Sequence, residues 1–473
     1  MDIIFLTQTY PSAPEDTAGP FIRELARALV RGGDRVRVLT PHARGLARRR
    51  DDDGVEVEAF RYAPVALELF GHGRSLAADE RVRGTAMLAA PLYALGAWRA
   101  VRRAVRDSLE ERGGQGDGGT GVERNPGAGV GRAAAAGSAR GGGVGWGAAA
   151  GVARGGATVV QAHWVVPNGP LVRGVASGDG GACFGIGIHG SDVFLAERRV
   201  ARPFVRRTLA ACDFVTGCSP ELVDRVCAIG FPSDAARVIP YGVDAATYRP
   251  DPARRAIWRE RLGVPPDAPL VLGLGRMATK KGFQVLVPQL AALIAAVPEV
   301  HVVLAGAGDL LPGLRAAAAP LGARVHFPGA VLRDTLPDLF RAADAFVLPA
   351  MHDPSGNVDG LPNVVLEAMA SGLPVVTTPV SGIPLAVRDG VEGVLVPEGD
   401  GAALREALVA LLRDPARGRA LGAAARERAV AELSWETVAG RYRAAYAEGI
   451  ARRAAGEKPA ARHTGRGGGE RRG

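Results

Sequence analysis

Two short stretches hold residue types suited to chemistry on a phosphate-linked substrate. In residues 271–282, Arg276 and Lys281 stand five apart in a turn that follows an apolar run and closes on Gly282. Arginine grips a phosphate through two parallel donors and lysine adds a point charge. Fixed cations of this kind stabilise negative charge that builds on a leaving diphosphate. In residues 359–374, Asp359 and Glu367 stand eight apart with Gly360, Leu361, Pro362 and Asn363 between them. Proline favours a first helical position, which places Glu367 inside a helix and Asp359 on the loop before it. The helix start between the two carboxylates offers free N–H groups to an anion.

Further candidates lie elsewhere. His189 ends a glycine-spaced apolar run and leads into Gly-Ser-Asp192. A residue at the carboxyl end of a parallel strand faces the ligand crevice. His163 and Trp164 end the preceding run and are expected on the acceptor side with Asp192. Gly19 precedes a helix whose N–H groups suit a phosphate. Gly306 and Gly308 follow a strand and would let a base or ribose approach the backbone.

These positions need a scaffold, and the hydrophobic pattern supplies one. Asp2–Thr7 reads as a strand, Pro20–Arg31 as a helix with Phe21, Leu25, Ala28 and Leu29 on one face, and Arg35–Thr40 as the next strand. Strand, helix and strand at this pitch form a βαβ unit with a parallel sheet. The pattern continues through strands 55–62, 158–162, 184–188, 214–218 and 237–239, with a helix over 92–109. A second series follows Asp244: strands 270–274, 300–305, 325–327, 345–348 and 374–377, with helices 283–295, 308–318, 336–342 and 363–371. The expected fold is α/β, with two Rossmann-like doubly wound domains, 1–244 and 245–433, facing across a cleft. Ser434 caps a helix over 434–450.

With 473 residues and 47% hydrophobic content the chain can bury two cores. The segment 113–156 contains 18 glycines in 44 residues and reads as a flexible insertion. The tail 451–473 carries seven Lys/Arg against two Glu, and reads as a disordered solubilising end; it leaves +4 of the +9 net charge to the rest. No nucleic-acid partner is expected. Cysteines 183, 212, 218 and 227 form no C-x-x-C pair, so neither a metal nor a disulfide framework is implied, and a reducing cytoplasm fits. No apolar run has the ~20 residues of a membrane span. The stretch 84–98, apolar with arginines at both ends, reads as a core helix with solvated ends; an interfacial helix on the inner membrane face is the alternative. Asp51-Asp52-Asp53 reads as a charge run in a polar loop.

The two stretches together resemble the donor site of retaining glycosyltransferases of family 4 with the GT-B fold. Gly275-Arg276…Lys281-Gly282 matches the family's Gly-Arg-x4-Lys-Gly, and 359–367 resembles its E-x7-E motif, with Asp359 for the first Glu. Pro240-Tyr-Gly-Val-Asp244 resembles the hinge sequence Pro-Asn-Gly-Val-Asp, with Tyr241 for Asn, and Gly19-Pro20 stands where the family often has Gly-Gly. The resemblance implies that Arg276 and Lys281 hold the diphosphate of a UDP- or GDP-linked sugar. It further implies that Asp359 binds hydroxyls of the transferred sugar, Glu367 the ribose, and that His189 lies beside the reacting sugar. It also implies a terminal helix that returns across the first domain, transfer with retention, and no metal or other cofactor. The acceptor class by base rate is a glycolipid or polysaccharide precursor.

Three rivals stand beside this reading: a nucleotide-sugar epimerase of the same fold, a catalytically silent binding module, and a dinucleotide enzyme. For the last, Gly273-Leu-Gly-Arg-Met-Ala278 imitates G-x-G-x-x-A, but the acid expected about 20 residues on is missing.

Overall fold

The computed structural model describes residues 1–11, 19–64, 68, 82–113, 156–176, 181–196 and 201–456. Among the described residues fourteen strands form two sheets. The first sheet contains β1 (Asp2–Leu6), β2 (Arg35–Pro41), β3 (Arg49–Asp52), β4 (Val55–Phe60), β5 (Thr158–His163), β6 (Cys183–Ile188), β7 (Phe214–Gly217) and β8 (Ala236–Val238). Their order is β3-β4-β2-β1-β5-β6-β7-β8, parallel except for the edge strand β3. The second sheet contains β9 (Leu270–Leu274), β10 (His301–Ala305), β11 (Val325–Gly329), β12 (Ala345–Leu348), β13 (Val375–Thr377) and β14 (Gly393–Leu395), in the order β11-β10-β9-β12-β13-β14 and all parallel. The central strands β5, β6, β9, β10 and β12 are buried at every residue. Helices on both faces leave such strands no water-facing side, which explains their unbroken apolar runs.

Among their parallel strands each sheet reverses its order once, at β1/β5 and at β9/β12. The loops leaving these strand ends open a crevice where ligands bind in doubly wound folds. Chain crossings between the sheets lie side by side: Val243 N–H donates to the Leu433 carbonyl at 2.8 Å, and Val243 pairs with Ser434 in a one-residue bridge. The last helix, Trp435–Ala454, packs on the first sheet, where the Tyr446 hydroxyl donates to Gln161 at 2.5 Å and Arg443 pairs with Asp34 at 2.6 Å. It runs past the expected end at 450; residues 457–473 of the basic tail lie outside the described residues, as do 114–155 of the glycine-rich segment.

Several elements differ from expectation for identifiable reasons. The helix expected over 283–295 is divided into Phe283–Leu286, a tighter turn Val287–Gln289, and Leu290–Ala296, because Pro288 cannot supply the N–H of a continuous helix. Asp51 and Asp52 belong to strand β3 rather than a loop, and Asp52 is engaged by the Tyr10 hydroxyl at 2.8 Å and by Arg23 and Arg27. In the helix Pro20–Arg31 the core side is Ile22, Leu25, Ala26, Ala28 and Leu29, while Phe21 turns toward the cleft. The helix Val82–Gly113 packs Tyr93, Ala97, Ala100, Val101 and Val105 on the sheet and leaves Leu92 and Leu95 exposed with Arg99 and Arg102. No helix among the described residues is long and apolar enough to cross a membrane.

Candidate active site

The turn after β9 is shaped by two glycines. Gly275 adopts φ 158°, and Gly282 adopts φ 73° with no room for a side chain, since a Cβ there would stand 1.7 Å from the Pro349 carbonyl oxygen. The turn therefore lies directly on the loop that leaves β12, and Met351 N–H donates to the Lys280 carbonyl at 3.0 Å. A short 3₁₀ turn, Thr279–Lys281, then points two adjacent lysines at one carboxylate. Lys280 Nζ lies 2.6 Å from Asp359 Oδ1, and Lys281 Nζ lies 2.6 Å from Asp359 Oδ2. Burial pushes the Asp359 carboxyl up, but the Lys281 and Lys280 ammoniums outweigh it and hold it well below the usual carboxylate range. Arg276 is exposed on the same turn and makes no ion pair among the described residues.

Asp359 arrives on the loop 349–362, which is braced against the first domain. A Cβ on Gly360 would meet Cys218 Sγ at 2.3 Å, and the Gly360 carbonyl accepts from Gly382 N–H at 2.7 Å. A Cβ on Gly190, next to His189, would lie 3.6 Å from the Val358 carbonyl oxygen. Asp359 and His189 thus come from opposite domains onto neighbouring backbone. Leu361 is buried, and Pro362 is the N-cap of helix Asn363–Ala370 rather than its first residue. Asn363 Oδ1 and Glu367 Oε2 are buried without hydrogen-bond partners among the described residues, and both residues line one small cavity with Glu24, Asp244, Tyr248 and Arg333. Burial pushes Glu367 up to about 6, against the pull of Arg333, the Tyr248 hydroxyl and Lys281. Buried polar atoms left unpaired are costly, so the two acceptors call for a hydrogen-bond donor in this cavity.

The first domain contributes a neutral, aromatic wall. His189 Nε2 lies 2.9 Å from His163 Nδ1, and His189 Nδ1 lies 2.8 Å from the Tyr241 hydroxyl. Both ring nitrogens of His189 are therefore committed. Burial lowers His189 well below its ordinary value and lowers His163 to about 3, so both rings are neutral at pH 7. Phe21 stacks on Tyr241 at 4.6 Å and meets His189 at 4.8 Å; Trp164, held at φ 66°, lies 5.0 Å from His189. Asp192 spends its oxygens on the backbone N–H groups of Val165, His189 and Gly190, and so fixes this turn.

The glycines have more local roles. Gly19 is a left-handed cap at φ 66°, where a Cβ would strike the Thr9 carbonyl oxygen at 2.5 Å. What crowds Gly306 and Gly308 is protein backbone: added Cβ atoms would meet the carbonyls of Gly275 and Met277 at 1.9 and 2.5 Å. They let two loops pack. Lys280, Arg333, Tyr248 and Phe21 were absent from the sequence-derived site. Lys280 had one available signal, its adjacency to Lys281 in a turn too tight to send it elsewhere. Arg333 sits in a loop with no motif. Among the described residues no group of three or more His, Cys, Asp or Glu could hold a metal.

Residues 268–414 match the family described as glycosyl transferases group 1, and residues 17–242 match the glycosyl transferase 4-like domain. A GDP-mannose-dependent monoacylated α-(1-6)-phosphatidylinositol monomannoside mannosyltransferase of Corynebacterium glutamicum is 30% identical over 268 residues, 56% of this chain and 70% of that protein. The chain belongs to the group 1 glycosyl transferases. A GDP-mannose-dependent α-(1-6)-phosphatidylinositol monomannoside mannosyltransferase of Mycolicibacterium smegmatis is 36% identical over 252 residues, 53% of this chain, and the chain spans just under two thirds, 66%, of its length. In fold, this group 1 protein resembles sucrose-phosphate synthase of Thermosynechococcus elongatus, with TM-score 0.67 and 21% identity over 95% of this chain and 99% of that one. Its two facing parallel-sheet domains are those of the GT-B fold.

Proposed function

We propose that this chain is a retaining, metal-independent glycosyltransferase that moves a hexose from a nucleoside diphosphate sugar to a lipid-linked acceptor. The observation that carries the reading is the Asp359 carboxylate between Lys280 and Lys281, beside the His189 turn of the facing domain. A diphosphate seated on the turn 275–282 would meet Arg276 and Lys281, and the sugar beyond it would meet Asp359. Glu367 and Asn363 supply unpaired acceptors for ribose hydroxyls.

The protonation states support retention without an enzymic base. Asp359 is held ionised by two ammoniums, which makes it a poor proton acceptor, and His189 is neutral with no free ring nitrogen. The group left to take the acceptor's proton is the departing diphosphate, on the face it leaves. The mannosyltransferase names of the C. glutamicum and M. smegmatis relatives support GDP-mannose as donor and a phosphoinositide glycolipid as acceptor. The epimerase reading draws no comparable support from them, and the silent-module reading is disfavoured by Arg276, Lys281, Asp359 and Glu367 standing together.

Titration of GDP, UDP, ADP and NAD⁺ into wild type and Arg276→Ala tests the site. One nucleoside diphosphate should bind and the variant should lose it; binding of NAD⁺ alone would overturn the reading. Incubation with GDP-mannose should release GDP only when acceptor is present, whereas sugar isomerised without acceptor would favour the epimerase. We place the protein on the inner membrane face through exposed Leu92 and Leu95 with Arg99 and Arg102, the arrangement of an interfacial helix. Flotation with anionic liposomes should carry it upward, and recovery wholly in the liposome-free fraction would exclude this.

A further inference from the structure

Lys280 lies outside the sequence pattern by which the site was recognised, yet it reaches Asp359 as closely as Lys281 does. The two ammoniums divide the carboxylate, one on each oxygen at 2.6 Å, and both lysine side chains are mostly enclosed. Such an arrangement needs a reason, because two like charges side by side repel and each loses hydration. The donor supplies one. A nucleoside diphosphate sugar brings two negative charges to the turn 275–282. Arg276, Lys280 and Lys281 against Asp359 leave two positive charges, which match it. With Lys281 alone, Asp359 and the diphosphate would compete for one ammonium, and a carboxylate that lost would stand buried and unpaired. Asp353, the other acid whose charge acts on Lys280, is already engaged by Ser355 and Asn357 N–H and the Ser355 hydroxyl.

We propose that Lys280 is a positioning residue: it holds Asp359 ionised and aimed at the transferred sugar while Lys281 goes over to the leaving diphosphate. The proposal rests on the donor-site reading above. It assigns the neighbouring lysines separate duties, and it fits the shorter arm of Asp359, which a second cation on the same turn can hold in place.

The test uses the full chain as wild type, Lys280→Met and Lys280→Arg, with nucleoside diphosphate affinity and transfer kinetics measured across pH. Lys280→Met should bind the nucleoside diphosphate within about twofold of wild type but lose about tenfold or more in kcat. Its activity should also fall away at a higher pH on the acid side, because Asp359 with one cation is easier to protonate. Lys280→Arg should restore most of both. Unchanged kcat and pH profile in Lys280→Met would overturn the proposal. So would a loss of diphosphate affinity as large as the loss in kcat, which would make Lys280 a phosphate ligand. If Lys280→Met does not fold, Lys280→Gln takes the same readings. A wild type that binds no nucleoside diphosphate removes the donor-site reading and this proposal together; one that binds and transfers while Lys280→Met matches it removes the proposal alone.

Discussion

The two walls of the cleft solve the problem of buried polar groups in opposite ways. The second domain concentrates formal charge: Arg276, Lys280, Lys281 and Asp359 within one turn and one loop. The first domain faces them with neutral rings, and its buried acid there, Asp192, is spent on backbone N–H groups. His163, His189 and Tyr241 are linked ring to ring, kept neutral by burial and enclosed by Phe21 and Trp164. The charged wall suits a ligand whose charge changes during reaction, because fixed ions stabilise it without reorganising. The neutral wall suits shape, water exclusion and a fixed orientation. On the proposed function, catalysis in this cleft divides between a side that answers charge and a side that lowers the local dielectric and so strengthens that answer.

Breaking the charged wall should have the largest effect. Lys281→Ala frees one oxygen of Asp359 and, on the proposed donor site, removes a cation from the leaving group, so kcat should fall by roughly 10²–10³, read as initial rate at saturating donor. Arg276→Ala comes next. Loss of its charge-assisted contact should weaken nucleoside diphosphate binding by about 1.5–3 kcal/mol in calorimetric titration, with little change in melting temperature, since the side chain is exposed and makes no ion pair among the described residues.

The neutral wall should answer differently. His189→Ala leaves His163 Nδ1 without its ring partner and the Tyr241 hydroxyl with the Cys218 thiol in place of the imidazole, and should cost about 1–3 kcal/mol of stability in denaturant unfolding. Because both histidines have lowered folded-state values, their contribution is present above the unfolded value near 6.5 and is lost as pH falls below it. Wild type should therefore lose stability on acidification below pH ~6.5 more steeply than His189→Ala.

Glu367 sharpens the contrast with the smallest effect. Its folded-state value is raised to about 6, so its protonated form is the one the free protein favours, and that preference is lost as pH rises through 6. Glu367→Gln should melt slightly higher than wild type at pH 8 and about equally at pH 4, while binding nucleoside diphosphate more weakly at both. Equal melting at pH 8 would mean that Arg333 already compensates the charge.

Much of this division was legible in the residues themselves. Charge at fixed spacing is read directly, so Arg276, Lys281, Asp359 and Glu367 could be singled out, and the structure brings Lys281 and Asp359 together; the buried parallel strands followed from unbroken apolar runs. The neutral wall was only partly legible. His163, Trp164 and His189 were placed by strand ends, but Tyr241 was seen as a departure from a hinge sequence and Phe21 as part of a helix core. Aromatic rings look alike in sequence whether they fill a core or line a cleft; only the packed position of the helix Pro20–Arg31, which sets Phe21 against Tyr241 and His189, separates the two. The roles of Gly306 and Gly308 were illegible for a related reason, since a glycine shows that something approaches closely without saying whether it is ligand or backbone.

The last helix gives the fold a timing as well as a shape. Tyr446 completes a hydrogen bond with Gln161 inside the first domain, and Arg443 reaches back to Asp34. During synthesis the strands of that domain emerge on the order of 200 residues before this helix, a delay of roughly 10–40 s at ordinary elongation rates. For that interval the face of the first sheet that Val438, Tyr442 and Tyr446 will cover is open to water and to other chains. A ribosome stalled between the two domains would thus present a first domain whose uncovered face stays open, and chains released at that point, which never gain Trp435–Ala454, should be held by chaperones.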